Sequence, residues 1–128
     1  NGLVVGTGNK VEDFGIGFFT KYGDGGVDIS PIADLSKSEV RKLAQYCQIH
    51  SDIISTPPTD GLWQDGRTDE DQIGATYEEL EWAMDYGNGD ELTKRQIEVL
   101  SIYNKFRINN KHKTEPIPVC YIPKHLKT

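Results

Sequence analysis

The chain contains, close to its first residue, the run Leu3-Val4-Val5-Gly6-Thr7-Gly8-Asn9-Lys10-Val11-Glu12. Leu3, Val4 and Val5 predict a short buried strand, because a brief apolar run bounded by turn residues is typical of one. The Gly-Thr-Gly turn follows, where backbone N–H groups and the Thr7 hydroxyl could meet a phosphate or a ribose. The turn alone is a weak signal, since the longer dinucleotide-binding glycine pattern is absent.

Glycine is concentrated in the stretch that follows this run. Seven of the thirteen glycines lie between Gly6 and Gly26. A long irregular loop of this kind is either functional or disordered. Four aromatic residues in the same stretch argue against disorder, namely Phe14, Phe18, Phe19 and Tyr22. We therefore predict an ordered binding loop.

Three later helices are predicted from capping boxes, in which a Ser or Thr is followed three residues later by Glu or Gln. The boxes begin at Ser36, Thr76 and Thr93, and apolar residues at helical spacing follow each of them. The third helix is expected to end near residues 109–110. Residues 61–71 are polar, acidic and punctuated by glycine, which is the composition of a mobile lid.

The composition is that of an ordinary soluble domain, with 36% hydrophobic and 27% charged residues in a chain of 128. The net charge of −6 hides an asymmetry, because residues 60–91 hold eleven acidic residues and residues 92–128 hold eight basic ones. An acidic protein is a poor candidate for binding duplex nucleic acid. No apolar run approaches the roughly 18–20 residues that span a bilayer. The basic segment fits anionic small ligands or subunit pairing.

The sequence offers no covalent catalyst. It lacks a nucleophile elbow, a paired-histidine helix and a Cys/His dyad. Cys47 and Cys120 are the two cysteines, and neither has a partner at metal-ligand spacing, so a disulfide framework and a zinc site are both excluded. Any chemistry must therefore proceed by positioning and charge stabilisation.

Two charged residues near predicted helix starts have two interpretations each. Glu12 lies three residues after Asn9, so it either closes a helix cap with Asn9 or binds a metal ion. Lys37 stands in the first turn of a predicted helix, where the helix dipole disfavours a cation. Its position indicates an anion nearby, although a solvated side chain is equally compatible.

Four further residues have the same ambiguity. Lys21 and Asp28 flank the glycine cluster, so they either bind opposite ends of a charged ligand or lie on the surface. His112 and Lys113 lie at the end of the third predicted helix. Basic residues there commonly hydrogen-bond the last carbonyl groups of a helix, which is the simpler interpretation of this pair.

Together these residues closely resemble the second half of the NAD⁺ synthetase family. The resemblance is carried by residues 4–12, by Gly17-Phe18-Phe19-Thr20-Lys21-Tyr22-Gly23-Asp24-Gly25-Gly26-Val27-Asp28, by Pro31, Leu35 and Lys37, by residues 58–62, 69–70 and 73–79, and by His112-Lys113. It covers nearly the whole chain. An insert at residues 63–67 and the proline-rich end depart from the short ammonia-type members and indicate a subgroup.

The resemblance implies an α/β fold. This chain is expected to form part of an adenine-nucleotide alpha-hydrolase-like parallel sheet, and to be mostly helical with one short N-terminal strand. The implied protein is cytoplasmic and homodimeric, and binds neither nucleic acid nor a membrane. Its implied reaction uses ATP to adenylate the nicotinate carboxylate of deamido-NAD, and ammonia then displaces AMP to give NAD⁺.

The resemblance also implies a role for each candidate residue. ATP-contacting positions are matched by Thr7, Lys37 and Thr59, and a Mg²⁺ ligand is matched by Glu12. Positions that hold deamido-NAD are matched by Lys21, Asp28, His112 and Lys113. Physical chemistry agrees with these roles, because adenylation builds negative charge between two anionic groups, which a metal ion and lysines offset.

We expect residues 1–128 to be the carboxy-terminal part of the NAD⁺ synthetase domain. The family's Ser-Gly-Gly-x-Asp-Ser pyrophosphate loop is expected upstream of Asn1, which is not an initiator residue, so the isolated chain is expected to be inactive. The source of ammonia, free or from an attached glutaminase, stays open. Two alternatives remain: a related ATP-pyrophosphate-forming amide ligase, and a non-catalytic helical interaction domain, which leaves the glycine cluster unexplained.

Overall fold

A computed structural model describes residues 1–89 and 91–127 of the chain. A π-helix spans Lys10–Ile16, and five α-helices follow within the described residues. Their bounds are α1 Lys37–Tyr46, α2 Ser51–Ser55, α3 Asp69–Ile73, α4 Tyr77–Asp85 and α5 Lys94–Thr114, with a 3₁₀ turn at Lys124–Leu126. The expectation of a mostly helical chain is confirmed.

The predicted N-terminal strand is not confirmed. Val5 and Ile29 form an isolated parallel bridge, in which Gly6 N donates to Ile29 O at 2.7 Å. No strand occurs in the part of the chain that the structure describes. Pro31 follows the bridge closely and has no N–H to extend a ladder. The apolar residues 3–5 are more than half exposed, so the expectation that they are buried is wrong for this chain.

The helix caps explain where the α-helices begin. All three predicted capping boxes are present, at Ser36, Thr76 and Thr93. A fourth, formed by Thr68 and Asp71, starts α3 and was not predicted. Because α3 begins at Asp69, the last three residues of the segment predicted to be a lid are helical. The helix α5 continues to Thr114 instead of ending near residues 109–110, with three basic residues in its last turn that suit the negative end of the helix dipole.

The core lies between the π-helix, α4 and α5, which pack against one another. It consists of Val11, Ile16, Ile73, Ala75, Tyr77, Leu80, Ala83, Val99 and Tyr103. Burying a side chain of the size of Leu or Ile stabilises a fold by about 1.5–3 kcal/mol. Because Val11 and Ile16 face this core, Glu12 and Asp13 between them lie half-buried at its boundary.

Two further features concern helix length and the cysteines. No described helix has both the length and the apolar character needed to cross a membrane. Both cysteines are free, and both are exposed.

Candidate functional site

Asn9 and Gly17 set the ends of the π-helix and so place Glu12. The Asn9 side-chain oxygen accepts hydrogen bonds from Val11 N at 3.1 Å and from Glu12 N at 3.0 Å. Gly17 ends the helix in the left-handed region, at φ 66°, which glycine adopts without strain. Asn9 Nδ2 also donates to Glu12 Oε2 at 2.6 Å. Asn9 therefore contacts Glu12 twice, once at its backbone N–H and once at its carboxylate.

The Glu12 carboxylate is also contacted by a cation and a phenol. Lys37 Nζ lies 3.7 Å from Glu12 Oε2, and the two side chains are 21% and 19% exposed. The Tyr77 hydroxyl lies 3.2 Å from Glu12 Oε1 and 3.2 Å from Asp69 Oδ2. Lys37 Nζ stands 4.7 Å from the centroid of the Tyr77 ring. The four side chains form one connected network, which we call the Glu12 network.

Burial makes the carboxyl groups here hard to ionise. It raises the pKa of Glu12, and the nearby Lys37 ammonium offsets part of that rise. Burial likewise raises the pKa of Asp69. Burial and the charges of Glu12 and Asp24 raise the pKa of Asp13 to about 6. This excess of acidic groups favours an additional positive charge at the site.

Glu12 fits a Mg²⁺ site as one contributor among several. Mg²⁺ is usually bound by one or two carboxylates together with substrate phosphates and water. No three His, Cys, Asp or Glu side chains among the described residues are placed to hold a metal ion. A half-buried carboxylate beside two further acids suits a cation whose remaining ligands are supplied by phosphate.

Two of the predicted ATP-binding residues line one cavity. Lys37 and Thr59 border a space of about 490 Å³ between α1 and residues 53–59. Thr59 Oγ1 donates to Arg67 O at 3.0 Å and accepts from Gly61 N at 3.1 Å, so its hydroxyl holds a turn in this structure. Thr7 is exposed and does not line this cavity.

Three of the four predicted deamido-NAD-binding residues line a second cavity. Lys21, Asp28 and Lys113 border a space of about 440 Å³, whose wall also includes Asp13. His112 lies outside it and lines an adjoining recess of about 560 Å³ together with Lys21 and Lys113. The structure thus brings the four residues to neighbouring surfaces at the loop of residues 17–28, which we call the glycine-rich loop.

Each of these charged groups already has a partner in the backbone. Lys21 Nζ donates to His112 O, and Lys113 Nζ donates to Gly17 O at 2.8 Å. Asp28 Oδ2 accepts from Val4 N at 2.8 Å. The His112 ring is exposed, with Nδ1 3.2 Å from Asn109 O. The two lysine contacts attach the end of α5 to the glycine-rich loop.

Sequence reasoning missed three residues of this region: Asp13, Asp69 and Tyr77. Asp69 and Tyr77 lie inside strings that carry the family resemblance, but no role was given to them. The available signal was Asp69, an acidic residue immediately after the Thr68 cap. Its burial could not be read from the sequence.

Comparison with known protein families gives the class to which the chain belongs. The sequence model of the NAD synthase family matches residues 1–116 of the chain. The chain therefore belongs to the NAD synthase family.

Curated relatives carry a more specific name. The NH(3)-dependent NAD(+) synthetase of Syntrophomonas wolfei is 41% identical over 127 residues, which cover 99% of this chain and 48% of that protein. The NH(3)-dependent NAD(+) synthetase of Methanococcoides burtonii is 42% identical over 122 residues, which cover 89% of this chain and 46% of that protein. The chain thus spans about half the length of these relatives.

A solved structure has the same fold over nearly the whole chain. The NMN synthetase of Francisella tularensis matches with a TM-score of 0.78 and 35% sequence identity. The match covers 97% of this chain and 48% of that one. The chain thus shares the fold of about half of that NMN synthetase.

Proposed function

We propose that residues 1–128 are the carboxy-terminal part of the domain of an ammonia-dependent NAD⁺ synthetase, a carbon–nitrogen ligase that converts deamido-NAD into NAD⁺. ATP adenylates the nicotinate carboxylate and releases pyrophosphate, and ammonia then displaces AMP. The names of the curated relatives and the half-length match support this proposal. The remaining part of the domain, with the pyrophosphate loop, belongs to the portion of the relatives that this chain does not span.

One observation carries the proposal: two consecutive residues are each linked to one of the two cavities. Glu12 pairs with Lys37, which lines the first cavity, and Asp13 lines the second. An adenylating enzyme has to bring a phosphate of ATP against the carboxylate of its second substrate. Both groups are anionic, so a lysine in the wall of the first cavity lowers the cost of bringing them together.

The residues are given the roles that the family resemblance implies. Lys37, Thr59 and Thr7 contact ATP, and Glu12 contributes to binding Mg²⁺. The residues that hold deamido-NAD are Lys21, Asp28, His112 and Lys113. When bound, Mg²⁺ supplies neutralisation of phosphate charge. The enzyme works in the cytoplasm as a homodimer, with deamido-NAD, ATP and ammonia as its small-molecule partners.

A second candidate keeps the chemistry and changes the substrate. The similarity to an NMN synthetase favours a test in which the deamidated mononucleotide is offered beside deamido-NAD. The two substrates share the nicotinate carboxylate and differ in the adenylate half. A kcat/KM higher for the mononucleotide would replace NAD⁺ by NMN as the product while keeping the enzyme class.

The proposal is tested in the complete synthetase by steady-state kinetics of Glu12→Gln and Asp28→Asn. Glu12→Gln is expected to lower kcat in a way that excess Mg²⁺ partly restores. Asp28→Asn keeps an acceptor for Val4 N but removes the charge, so it is expected to raise the KM for deamido-NAD. The expected loss is about ten- to a hundredfold, from the roughly 1.5–3 kcal/mol of a hydrogen bond to a charged group.

Asp34→Asn is the charge-matched control, because the Asp34 side chain is 97% exposed and contacts Lys10 at 3.2 Å, away from both cavities. It is expected to leave all constants unchanged. If Glu12→Gln lowers only the melting temperature, Glu12 is a helix cap and not a metal ligand. If Asp28→Asn leaves the KM unchanged, the substrate site is wrong, and if the wild type forms no amide, the function is wrong.

A further inference from the structure

Asp69 is a buried carboxyl group whose partners do not explain its burial. It is 5% exposed, and its one side-chain hydrogen bond among the described residues joins Oδ2 to the Tyr77 hydroxyl at 3.2 Å. The other oxygen, Oδ1, is buried without a hydrogen-bond partner there. Burying a carboxyl group is costly unless it is fully paired, and an apolar residue serves packing better. A packing role alone therefore does not account for an acid at this position.

Its position joins two parts of the candidate site. The Asp69 backbone N–H donates to Pro58 O at 3.0 Å, next to Thr59 in the wall of the first cavity. Its side chain reaches Tyr77, whose hydroxyl also contacts Glu12 Oε1. Tyr77 is fully buried, so that hydroxyl has a fixed place between the two carboxyl groups.

The contacts on Glu12 hold its carboxylate in one orientation. Tyr77 contacts Oε1 at 3.2 Å, and Asn9 contacts Oε2 at 2.6 Å. A carboxylate has about four lone-pair positions, and Lys37 at 3.7 Å is the third neighbour. At least one position remains for a cation, and its direction is set by the two hydrogen bonds.

We propose that Asp69 and Tyr77 are positioning residues: Asp69 holds the Tyr77 hydroxyl, and Tyr77 orients the Glu12 carboxylate toward the divalent cation that accompanies ATP. The proposal rests on the proposed function, because it needs Glu12 as a metal ligand. Groups that hydrogen-bond a ligating side chain fix its orientation, and losing one typically weakens metal binding by about ten- to a hundredfold.

The test measures metal binding without turnover. Mn²⁺ is titrated into the complete synthetase in the presence of a non-hydrolysable ATP analogue, and binding is followed by water-proton relaxation. Tyr77→Phe and Asp69→Leu are each expected to weaken Mn²⁺ binding by about tenfold or more. Asp69→Leu keeps a branched side chain and removes both oxygens, so it reports on the proposal even if Tyr77→Phe fails to fold.

Tyr103→Phe is the matched control. Tyr103 is also buried, at 5% exposure, and its hydroxyl accepts a hydrogen bond from Arg107 at 3.1 Å outside the Glu12 network. It is expected to lose a hydroxyl hydrogen bond without changing Mn²⁺ affinity.

Glu12→Gln separates the possible failures. If it abolishes Mn²⁺ binding while Tyr77→Phe and Asp69→Leu bind within twofold of the wild type, the positioning role is wrong and the metal assignment stands. If Glu12→Gln also binds like the wild type, the metal role of Glu12 is wrong and the positioning role falls with it.

Discussion

Lys113 Nζ donates to the carbonyl oxygen of Phe19 at 2.7 Å and lies 5.4 Å from the centroid of the Phe19 ring. The same ammonium group donates to Gly17 O at 2.8 Å. Burial lowers the pKa of Lys113, because it removes water from the ammonium group. The two carbonyl groups replace part of that water as hydrogen-bond acceptors. One side chain thus fixes the last turn of α5 to the start of the glycine-rich loop.

Replacing Lys113 by Met is expected to loosen that attachment. The substitution keeps the aliphatic chain but leaves two carbonyl groups without their donor. Hydrogen bonds to charged groups contribute about 1.5–3 kcal/mol. Amide hydrogen exchange in residues 17–23 and in the last turn of α5 is therefore expected to become at least about tenfold faster, as measured by mass spectrometry on the complete synthetase.

Lys111→Met is the control for the loss of a lysine in the same turn. Lys111 is exposed and pairs with Glu115 at 3.1 Å, and exposed ion pairs contribute about 1 kcal/mol or less. Exchange in residues 17–23 is expected to stay unchanged in this variant. Equal exchange in the two variants would show that Lys113 does not hold the loop.

Gly17→Ala is expected to destabilise the junction between the π-helix and the loop. Gly17 has φ +66°, and an added Cβ would lie 2.5 Å from Asn110 Cβ. The left-handed backbone costs a non-glycine residue about 1–2 kcal/mol, and overpacking costs about 1–3 kcal/mol more. Urea unfolding of the complete synthetase is expected to show a loss of about 2–5 kcal/mol.

Gly66→Ala isolates the backbone part of that loss. Gly66 has φ +71°, and an added Cβ would meet nothing within 4 Å. Its expected loss is the backbone cost alone, about 1–2 kcal/mol. If the two variants lose the same free energy, the contact with Asn110 does not restrict residue 17.

Asp13 predicts a pH dependence of stability. Its pKa of about 6 in the folded protein lies above the ordinary aspartate value of 3.8, so ionisation of Asp13 destabilises the folded state. The protonated Asp13 carboxyl group stabilises the folded state. This stabilisation is fully present below pH 3.8 and is lost as the pH rises through about 6. Asp13→Asn lacks this loss, so the variant is expected to gain about 1 kcal/mol relative to the wild type between pH 4.5 and 7.5, after allowance for solvent screening.

The measurement is urea unfolding across that pH range in the presence of EDTA, which keeps bound metal from contributing. Asp34→Asn is again the control, because its side chain is 97% exposed, and its difference from the wild type is expected to be flat with pH. A flat difference for Asp13→Asn would mean that its carboxyl group is solvated in the folded protein.

Local signals in the sequence were sufficient for the helix starts. A capping box needs only residues three apart, and all three predicted boxes, at Ser36, Thr76 and Thr93, are present. The same locality explains why Glu12 was recognised as a neighbour of Asn9. The family resemblance then supplied residues that the structure brings to two cavities and an adjoining recess.

Properties that depend on distant neighbours could not be predicted. The run at residues 3–5 was expected to be buried, but pairing partners and covering side chains are not encoded locally, and in this chain only the Val5–Ile29 bridge forms. Asp69 directly follows the Thr68 cap, and acidic residues are common in the first turn of a helix. Nothing nearby in the sequence therefore marks Asp69 as buried. The hydroxyl between Asp69 and Glu12 comes from Tyr77, which is 65 residues from Glu12.

These separations have a consequence for the order in which the protein assembles. The Glu12–Tyr77 contact spans 65 residues and the Lys113–Gly17 contact spans 96. Contacts between distant residues close large loops and are slow to form. Chain synthesis proceeds from the amino terminus, so the glycine-rich loop emerges from the ribosome long before Lys113 does. The second cavity, which is lined by both the loop and Lys113, is therefore completed only when the end of α5 has emerged.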